Sequence, residues 1–199
     1  DNTFSPMLIS PQKLGTDITI HSLTKFINGT NDTVGGVVCG SQKFIDSLRN
    51  VNDGAAMLLG PVMDSLRAAS ILKNLRTLHI RMKKHSENAL YLAENFEEDG
   101  LKVVYPGLKS HKGHELFKTM YNKEYGFGGI MTIDVGNLEK ANELMELMQN
   151  ENLGYLAVSL GFYKTLFSAP GTSTSSEIPV DEQAEMGLSD GIIRFSIGL

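Results

Sequence analysis

Short apolar and β-branched segments alternate with amphipathic helical segments along the whole chain. Strand patterns are found at residues 17–20, 34–39, 101–105, 129–135 and 193–197. Helical patterns are found at residues 41–50, 61–98 and 138–148. Because strands that alternate with helices are typical of sheets covered by helices, this order of segments predicts an α/β fold.

The longest helical pattern, at residues 61–98, is expected to contain a break. It begins at a proline suited to a first helical turn, and its apolar stripe consists of Ala89, Leu92, Ala93 and Phe96. The charged residues assigned to its solvated face are Arg81, Lys83, Lys84 and Glu87. Since the pattern is longer than most helices of globular proteins, we predict a break between residues 79 and 85.

The long pattern ends at Asp99-Gly100, and a new strand pattern follows. We therefore predict two parts, with residues 1–98 forming an incomplete α/β unit and residues 99–199 a smaller α/β domain. The chain opens at Asp1 without a helix-start pattern and closes at Leu199 inside an apolar alternation. We expect it to be part of a longer protein, with the second domain truncated.

Composition excludes several classes of protein. A net charge of −5 argues against a nucleic-acid surface, which needs clustered basic residues. No apolar run is long enough to cross a bilayer, and no signal peptide is visible. The single cysteine, Cys39, cannot form an internal disulfide, and its apolar neighbours predict that it is buried in the core. His111 and His114 lack a third ligand, so we interpret them as solvated loop residues and expect no metal site.

Lys25 is the candidate reactive residue. It follows the first strand pattern, at the end of a strand where ligands bind in open α/β sheets. A lysine amine in such a place can bond covalently to an aldehyde cofactor. The hydroxyls of Ser22 and Thr24 precede it and could donate to a phosphate. On composition alone, the alternative is an ordinary solvated lysine.

The segment around Lys25 resembles a known signature. Residues 22–29, Ser-Leu-Thr-Lys-Phe-Ile-Asn-Gly, followed by Asp32, resemble the cofactor-lysine motif of the Cys/Met-metabolism family of pyridoxal-phosphate enzymes. The opening Asp-Asn-Thr-Phe is similar to a second family motif, and the likeness continues through residues 105–108, 157–161 and 193–198. Residues 58–61, 125–129 and 173–177 most resemble the methionine γ-lyase branch. One departure is Thr30, where the family commonly has histidine.

The resemblance implies a fold. Residues 1–98 would be the C-terminal part of a cofactor-binding large domain of the aspartate aminotransferase type, with a long connecting helix. Residues 99–199 would be the smaller C-terminal α/β domain.

The resemblance also implies roles for the site residues. Lys25 would hold pyridoxal 5'-phosphate covalently and move protons on the substrate. Asp1 would pair with the pyridine nitrogen, and Ser22 and Thr24 would bind the cofactor phosphate.

The remaining roles concern the substrate. The resemblance implies that Arg194 would clamp the substrate carboxylate with its planar guanidinium. Strand alternation, which places Arg194 opposite the apolar face, gives this role a little support. Ser159 and Thr174 would help to position that carboxylate or the arginine. The alternative for Arg194, Ser159 and Thr174 is an ordinary strand or loop position.

The activity implied is γ-elimination on L-methionine, which gives methanethiol, 2-oxobutanoate and ammonia. Alternatives within the family are cystathionine γ-lyase, cystathionine γ-synthase and O-acetylhomoserine sulfhydrylase, and a non-catalytic α/β binding domain is a further alternative. The family resemblance also implies a sulfur amino acid as substrate and a homotetramer, a dimer of dimers, in the cytoplasm. Because family sites include N-terminal residues and a neighbouring subunit, we expect this chain alone to be inactive.

Overall fold

A computed structural model describes residues 1–173 and 177–199 of the protein. The helices are α1 (Gln42–Leu48), α2 (Ala55–Leu59), α3 (Ser65–Leu75), α4 (Leu78–Glu98), α5 (His114–Met120), α6 (Leu138–Asn150) and α7 (Val180–Glu185). The strands are β1 (Thr19–Ser22), β2 (Gly36–Cys39), β3 (Lys102–Val104), β4 (Ile130–Asp134), β5 (Tyr155–Leu156), β6 (Leu166–Ser168) and β7 (Ile192–Ser196). A π-helix covers Leu23–Ile27, and 3-10 turns cover Pro11–Leu14 and Pro170–Thr172.

Side chains just outside three helices stabilise their first turns. The Ser41 hydroxyl accepts from Phe44 N ahead of α1, and the Asn137 amide oxygen accepts from Lys140 N ahead of α6. The Asp64 carboxylate accepts from two backbone N–H groups at the start of α3. Each cap satisfies N–H groups that have no partner inside the helix.

The first part of the chain is built around an antiparallel pair, β1 and β2, in which Thr19 lies opposite Cys39. The π-helix follows β1 directly and packs on α3 and the start of α4. A buried apolar cluster joins these elements, and its members are Leu8, Phe26, Ile27, Ile71, Leu78, Met82 and Leu160. Since Leu160 comes from the second part of the chain, this cluster also connects the two parts.

The second part contains a sheet in the order β3-β4-β7-β6-β5. Its neighbours are antiparallel except β5 and β6, which are parallel. Ala89 and Ala93 of α4 are fully buried, and such small side chains let the helix approach the sheet closely. Helices α4 and α6 pack against the central strands through a core that includes Tyr105, Met131, Ile133, Met145, Phe167, Ile193 and Phe195.

The strands predicted at residues 101–105, 129–135 and 193–197 are confirmed as β3, β4 and β7, with each end shifted by one residue. The helix break lies at residues 76–77, earlier than predicted. There the Thr77 hydroxyl and the Arg81 guanidinium donate to Asn74 O at 3.0 and 3.2 Å. These donors satisfy a carbonyl at the end of α3, which stabilises the break where it occurs.

Three burial predictions were wrong. Cys39 is exposed, because the two-stranded β1-β2 pair has little to cover its outer face. Arg81 is buried instead of solvated, because backbone carbonyls accept from its guanidinium. His114 is buried because its ring stacks on that of Phe127, with ring centroids 5.2 Å apart, and because its Nδ1 forms a hydrogen bond with the Pro106 carbonyl.

Helix α4 ends at Glu98, the residue at which the sequence predicts a division into two domains. The division itself stays a prediction. In residues 1–173 and 177–199, every helix is too short or too polar to cross a membrane. The same residues contain no group of three His, Cys, Asp or Glu side chains placed to hold a metal.

His85 makes folding stability depend on pH. It is fully buried, its Nδ1 lies 2.6 Å from Ile197 O, and desolvation lowers its pKa from 6.5 to about 4. The unfolded chain takes up a proton near pH 6.5, whereas the folded chain resists it until about pH 4. The stabilisation that comes from burying His85 in its neutral form is therefore fully present above pH 6.5. It decreases by about 3 kcal/mol as the pH falls towards 4.

We expect His85→Gln to flatten the pH dependence of the unfolding free energy between pH 6.5 and 4, measured by denaturant titration. The control is His79→Gln, which changes an exposed histidine of the same helix. Parallel profiles for His85→Gln and the natural protein would contradict the assignment.

Candidate active site

Lys25 lies inside the π-helix that follows β1, at a point where the backbone leaves helical geometry (φ −86°, ψ −128°). Its side chain is half-buried. Burial and, to a smaller extent, the charge of Arg194 lower the pKa of Lys25 below its usual value. A lower pKa increases the fraction of neutral amine, which is the nucleophilic and basic form.

A second segment, residues 157–161, contacts the lysine segment. Lys25 Nζ donates to Ser159 Oγ at 2.8 Å, which joins residues far apart in sequence. Gly161 has a φ of +73°, and a Cβ there would lie 2.3 Å from Phe26 N. Because only glycine fits this approach, the segment can reach the backbone next to Lys25. Gly161 N also donates to Ser196 Oγ at 2.8 Å, which ties the segment to β7.

Arg194 points from β7 towards the same segment. One terminal nitrogen donates to Val158 O at 3.2 Å and to Ser159 O at 3.1 Å. Its Nε is buried and has no hydrogen-bond partner among the described residues. Desolvation lowers the pKa of Arg194, which means that its charge is held away from water. A desolvated guanidinium with an unused donor is suited to an anion such as a carboxylate.

Arg81 holds the segment that carries Lys25. Its terminal nitrogens donate to Phe26 O at 2.5 Å and to Ile27 O at 2.8 Å, and its Nε donates to Thr77 Oγ1 at 3.1 Å. These bonds satisfy carbonyls at the end of the π-helix. Sequence reasoning assigned Arg81 to the solvated face. The missed signal is its spacing, because Arg81 lies eight residues before Ala89 on one row of i, i+4 positions.

The opening motif lies beside β1. Asn2 N donates to Ile20 O at 2.8 Å, and Ser22 N donates to Thr3 Oγ1 at 2.7 Å. Asp1 is exposed, and its Oδ1 accepts from Thr3 N at 2.7 Å. Its second carboxylate oxygen has no partner among the described residues. The motif is therefore anchored on the strand that leads to Lys25, with a carboxylate at its free end.

The two hydroxyls before the lysine differ in their contacts. Thr24 Oγ1 accepts from Gly35 N at 3.0 Å and lies 3.5 Å from Gly35 O. The longer contact is a weak one, so the hydroxyl proton can be redirected to another acceptor. Ser22 is half-buried, with its backbone held by Thr3.

The structure thus brings together Lys25, Ser159 and Arg194, three of the residues chosen from the sequence. Ser22 and Thr24 precede the lysine directly, and Asp1 lies next to β1 without contacting Lys25 or Arg194. Thr174 lies outside the described residues. The arrangement offers a nucleophilic amine beside a desolvated cation, which suits covalent binding of a carbonyl group next to an anion.

The family model for Cys/Met metabolism PLP-dependent enzymes matches residues 1–199. Methionine gamma-lyase of Arabidopsis thaliana is 45% identical over 199 residues, which is 100% of this chain and 45% of that protein. Cystathionine gamma-lyase of Bacillus subtilis is 36% identical over 203 residues, which is 100% of this chain and 51% of that protein. The chain spans about half the length of the curated relatives that it matches.

The chain is also similar to solved protein structures. Cystathionine gamma synthase from Xanthomonas oryzae pv. oryzae, solved in complex with cystathionine, matches with a TM-score of 0.87 and 35% identity. The match covers 100% of this chain and 50% of that chain. The predicted fold class, part of an aspartate aminotransferase-like α/β fold, is confirmed.

The variant Arg81→Met tests whether Arg81 stabilises the segment that carries Lys25. We expect Arg81→Met to lower the free energy of unfolding by about 3 kcal/mol, because it leaves the carbonyls of Phe26 and Ile27 buried and unpaired. The control is Arg67→Met, which removes an exposed ion pair to Asp64 and should change stability little. Equal losses in the two variants, measured by denaturant titration, would show that Arg81 has no special role.

Proposed function

Because the chain belongs to the Cys/Met-metabolism family of PLP-dependent enzymes, we propose that the protein catalyses γ-elimination on L-methionine. Methionine and water would give methanethiol, 2-oxobutanoate and ammonia. The observation that carries this proposal is the half-buried Lys25 amine, 2.8 Å from Ser159 Oγ and influenced by the charge of Arg194. The 45% identity to a methionine gamma-lyase favours methionine among sulfur amino acids.

The described residues fit the family's cofactor. Lys25 would hold it covalently, and the Thr24 hydroxyl, with only a 3.5 Å contact for its proton, could turn to the phosphate. Ser22 would add a second hydroxyl. The free carboxylate oxygen of Asp1 would accept from the pyridine nitrogen and keep that nitrogen protonated. Pyridoxal phosphate, when bound, withdraws electrons from the substrate and so stabilises negative charge at the α-carbon.

Arg194 would bind the substrate carboxylate. Its Nε is buried and unpaired among the described residues, so a carboxylate oxygen would supply the missing acceptor. One terminal nitrogen of Arg194, Nη2, donates to the Val158 and Ser159 carbonyls, and these contacts fix the guanidinium plane. A fixed plane orients the substrate, and orientation is a large part of enzymatic rate enhancement.

Lys25 would act as the proton carrier. Burial lowers the pKa of Lys25, which favours the neutral amine, and a neutral amine could remove the proton from the substrate α-carbon. The ammonium formed in that step can then return protons to the substrate as the γ-sulfur leaves as a thiol. The hydrogen bond to Ser159 keeps Nζ near the site between these transfers.

The second candidate is γ-replacement, in which a nucleophile takes the place of the leaving group at the γ-carbon. The likeness to a cystathionine gamma synthase with a TM-score of 0.87 favours it. An assay with an O-acylhomoserine and a thiol distinguishes replacement from elimination, since replacement gives a thioether instead of a 2-oxo acid.

The activity is proposed for the protein at its natural length, since the chain spans about half of its curated relatives. For this chain alone we predict no turnover. A homotetramer and a cytoplasmic location also stay predictions.

Lys25→Ala tests the covalent assignment. We expect no methanethiol and no 2-oxobutanoate from L-methionine, and no modified peptide after borohydride reduction and mass spectrometry, because the amine is absent. The control is Lys73→Ala, which changes an exposed lysine of α3 and should leave both readouts intact. A protein that never binds pyridoxal phosphate would instead support a non-catalytic domain.

Arg194→Leu tests carboxylate binding. We expect KM for L-methionine to rise about 100-fold, the effect of losing a charge-assisted pair. Arg194→Lys should raise KM about tenfold, because the positive charge remains while the two-pronged geometry of the guanidinium is lost. The exposed Arg49→Leu serves as the control. An unchanged KM in Arg194→Leu would remove Arg194 from the substrate site.

A further inference from the structure

We infer that Asn31 is a positioning residue, which fixes the proton of the Ser159 hydroxyl and thereby turns the Lys25 lone pair towards the site. This inference rests on the proposed role of Lys25 as the cofactor lysine. It concerns a loop residue that the family resemblance does not assign. The observation behind it is a continuous chain of hydrogen bonds, from Lys25 Nζ to Ser159 Oγ at 2.8 Å and from Ser159 Oγ to Asn31 Oδ1 at 3.3 Å.

The backbone around Asn31 is held firmly. The Asp32 carboxylate accepts from Asn28 Nδ2 at 2.8 Å and from the Thr30 hydroxyl at 2.7 Å. Asn28 is fully buried and accepts in turn from Asn74 Nδ2 at 2.9 Å. Asn31 itself has a φ of +52°, a left-handed conformation that asparagine adopts more readily than most residues. The loop therefore presents the Asn31 amide at a fixed place.

Ser159 is fixed as well, except for its hydroxyl rotation. Its carbonyl accepts from Arg194 at 3.1 Å, and the neighbouring residues 160 and 161 pack on the lysine segment. The remaining freedom at Ser159 is therefore the direction of one proton. That direction decides which partner the hydroxyl donates to.

The amide oxygen of Asn31 can only accept a hydrogen bond. The Ser159 hydroxyl must then donate its single proton to Asn31 and accept from Lys25. A neutral lysine amine has two protons and one lone pair, so donating to Ser159 leaves the lone pair directed elsewhere. The open direction is the site, where the lone pair can attack a carbonyl or remove a proton.

Without the Asn31 acceptor, the Ser159 hydroxyl is free to rotate and donate to the lysine lone pair. That bond would favour the neutral amine and would occupy the electron pair that the chemistry requires. Two effects follow together. The pKa of Lys25 falls, and the neutral amine becomes less reactive.

The test uses Asn31→Gly and Asn31→Asp in the protein at its natural length. Glycine removes the side chain and adopts the left-handed backbone without steric strain. Aspartate keeps an oxygen acceptor. Asn152→Gly is the matched control, since Asn152 is an exposed asparagine with a φ of +57°.

The measurement is the rate at which the cofactor-free protein takes up pyridoxal phosphate, followed by visible absorbance across a range of pH. For Asn31→Gly we expect the plateau that the uptake rate reaches at high pH to fall about fivefold, which is the effect of losing one hydrogen bond. We also expect the midpoint of the pH dependence of the uptake rate to move to lower pH. With L-methionine, kcat should fall in the same proportion while KM stays unchanged. Asn31→Asp should restore the plateau, and Asn152→Gly should match the natural protein.

Two results would overturn the inference alone while Lys25 of the natural protein is still labelled by the cofactor. One is an unchanged plateau in Asn31→Gly. The other is a plateau in Asn31→Asp as low as that in Asn31→Gly. Absence of cofactor on Lys25 in the natural protein, shown by borohydride reduction and mass spectrometry, would overturn the proposed function and this inference with it.

Discussion

The packing of the π-helix Leu23–Ile27 between α4 and residues 157–161 is the contact on which the site depends. Arg81 donates to the carbonyls of Phe26 and Ile27, and Gly161 lies close to Phe26 N. A larger residue at 161 would separate the two segments, and a shorter one at 81 would leave buried carbonyls unpaired. This packing also places Ser159 and Lys25 within hydrogen-bond distance. The arrangement of these two side chains therefore depends on the close approach of the Gly161 and Phe26 backbones.

The electrostatics of the site follow from the same packing. Lys25 and Arg194 both bond to Ser159 in residues 157–161, and desolvation is the main cause of the lowered pKa of each. The nearby positive charge of Arg194 lowers the pKa of Lys25 further, which favours the neutral amine. A carboxylate bound by Arg194 would reduce that repulsion. Substrate binding would therefore be coupled to the protonation of the lysine.

The sequence predicted the elements and the residues that carry a local pattern. Lys25 and Arg194 both stand in segments that resemble family motifs, and Arg194 also alternates with apolar neighbours on β7, so both could be predicted from the sequence. Arg81 could not, because burial of a charge depends on carbonyls that come from residues far away in the chain. The same holds for Asn31, whose partner Ser159 is supplied by the second part of the molecule.

The assembled residues explain why the chain is similar at once to proteins named as γ-lyases, a β-lyase and a γ-synthase. In their proposed roles, the Lys25 amine would move protons at the α-carbon and the Arg194 guanidinium would bind the carboxylate, and both groups are common to every amino acid. These two roles would prepare an activated substrate but would not distinguish one sulfur side chain from another. The fate of that substrate must then be decided by residues that contact the γ-carbon and the incoming or leaving sulfur. Elimination and replacement can therefore share the framework of Lys25, Ser159 and Arg194, and the choice between them can change while this framework stays the same.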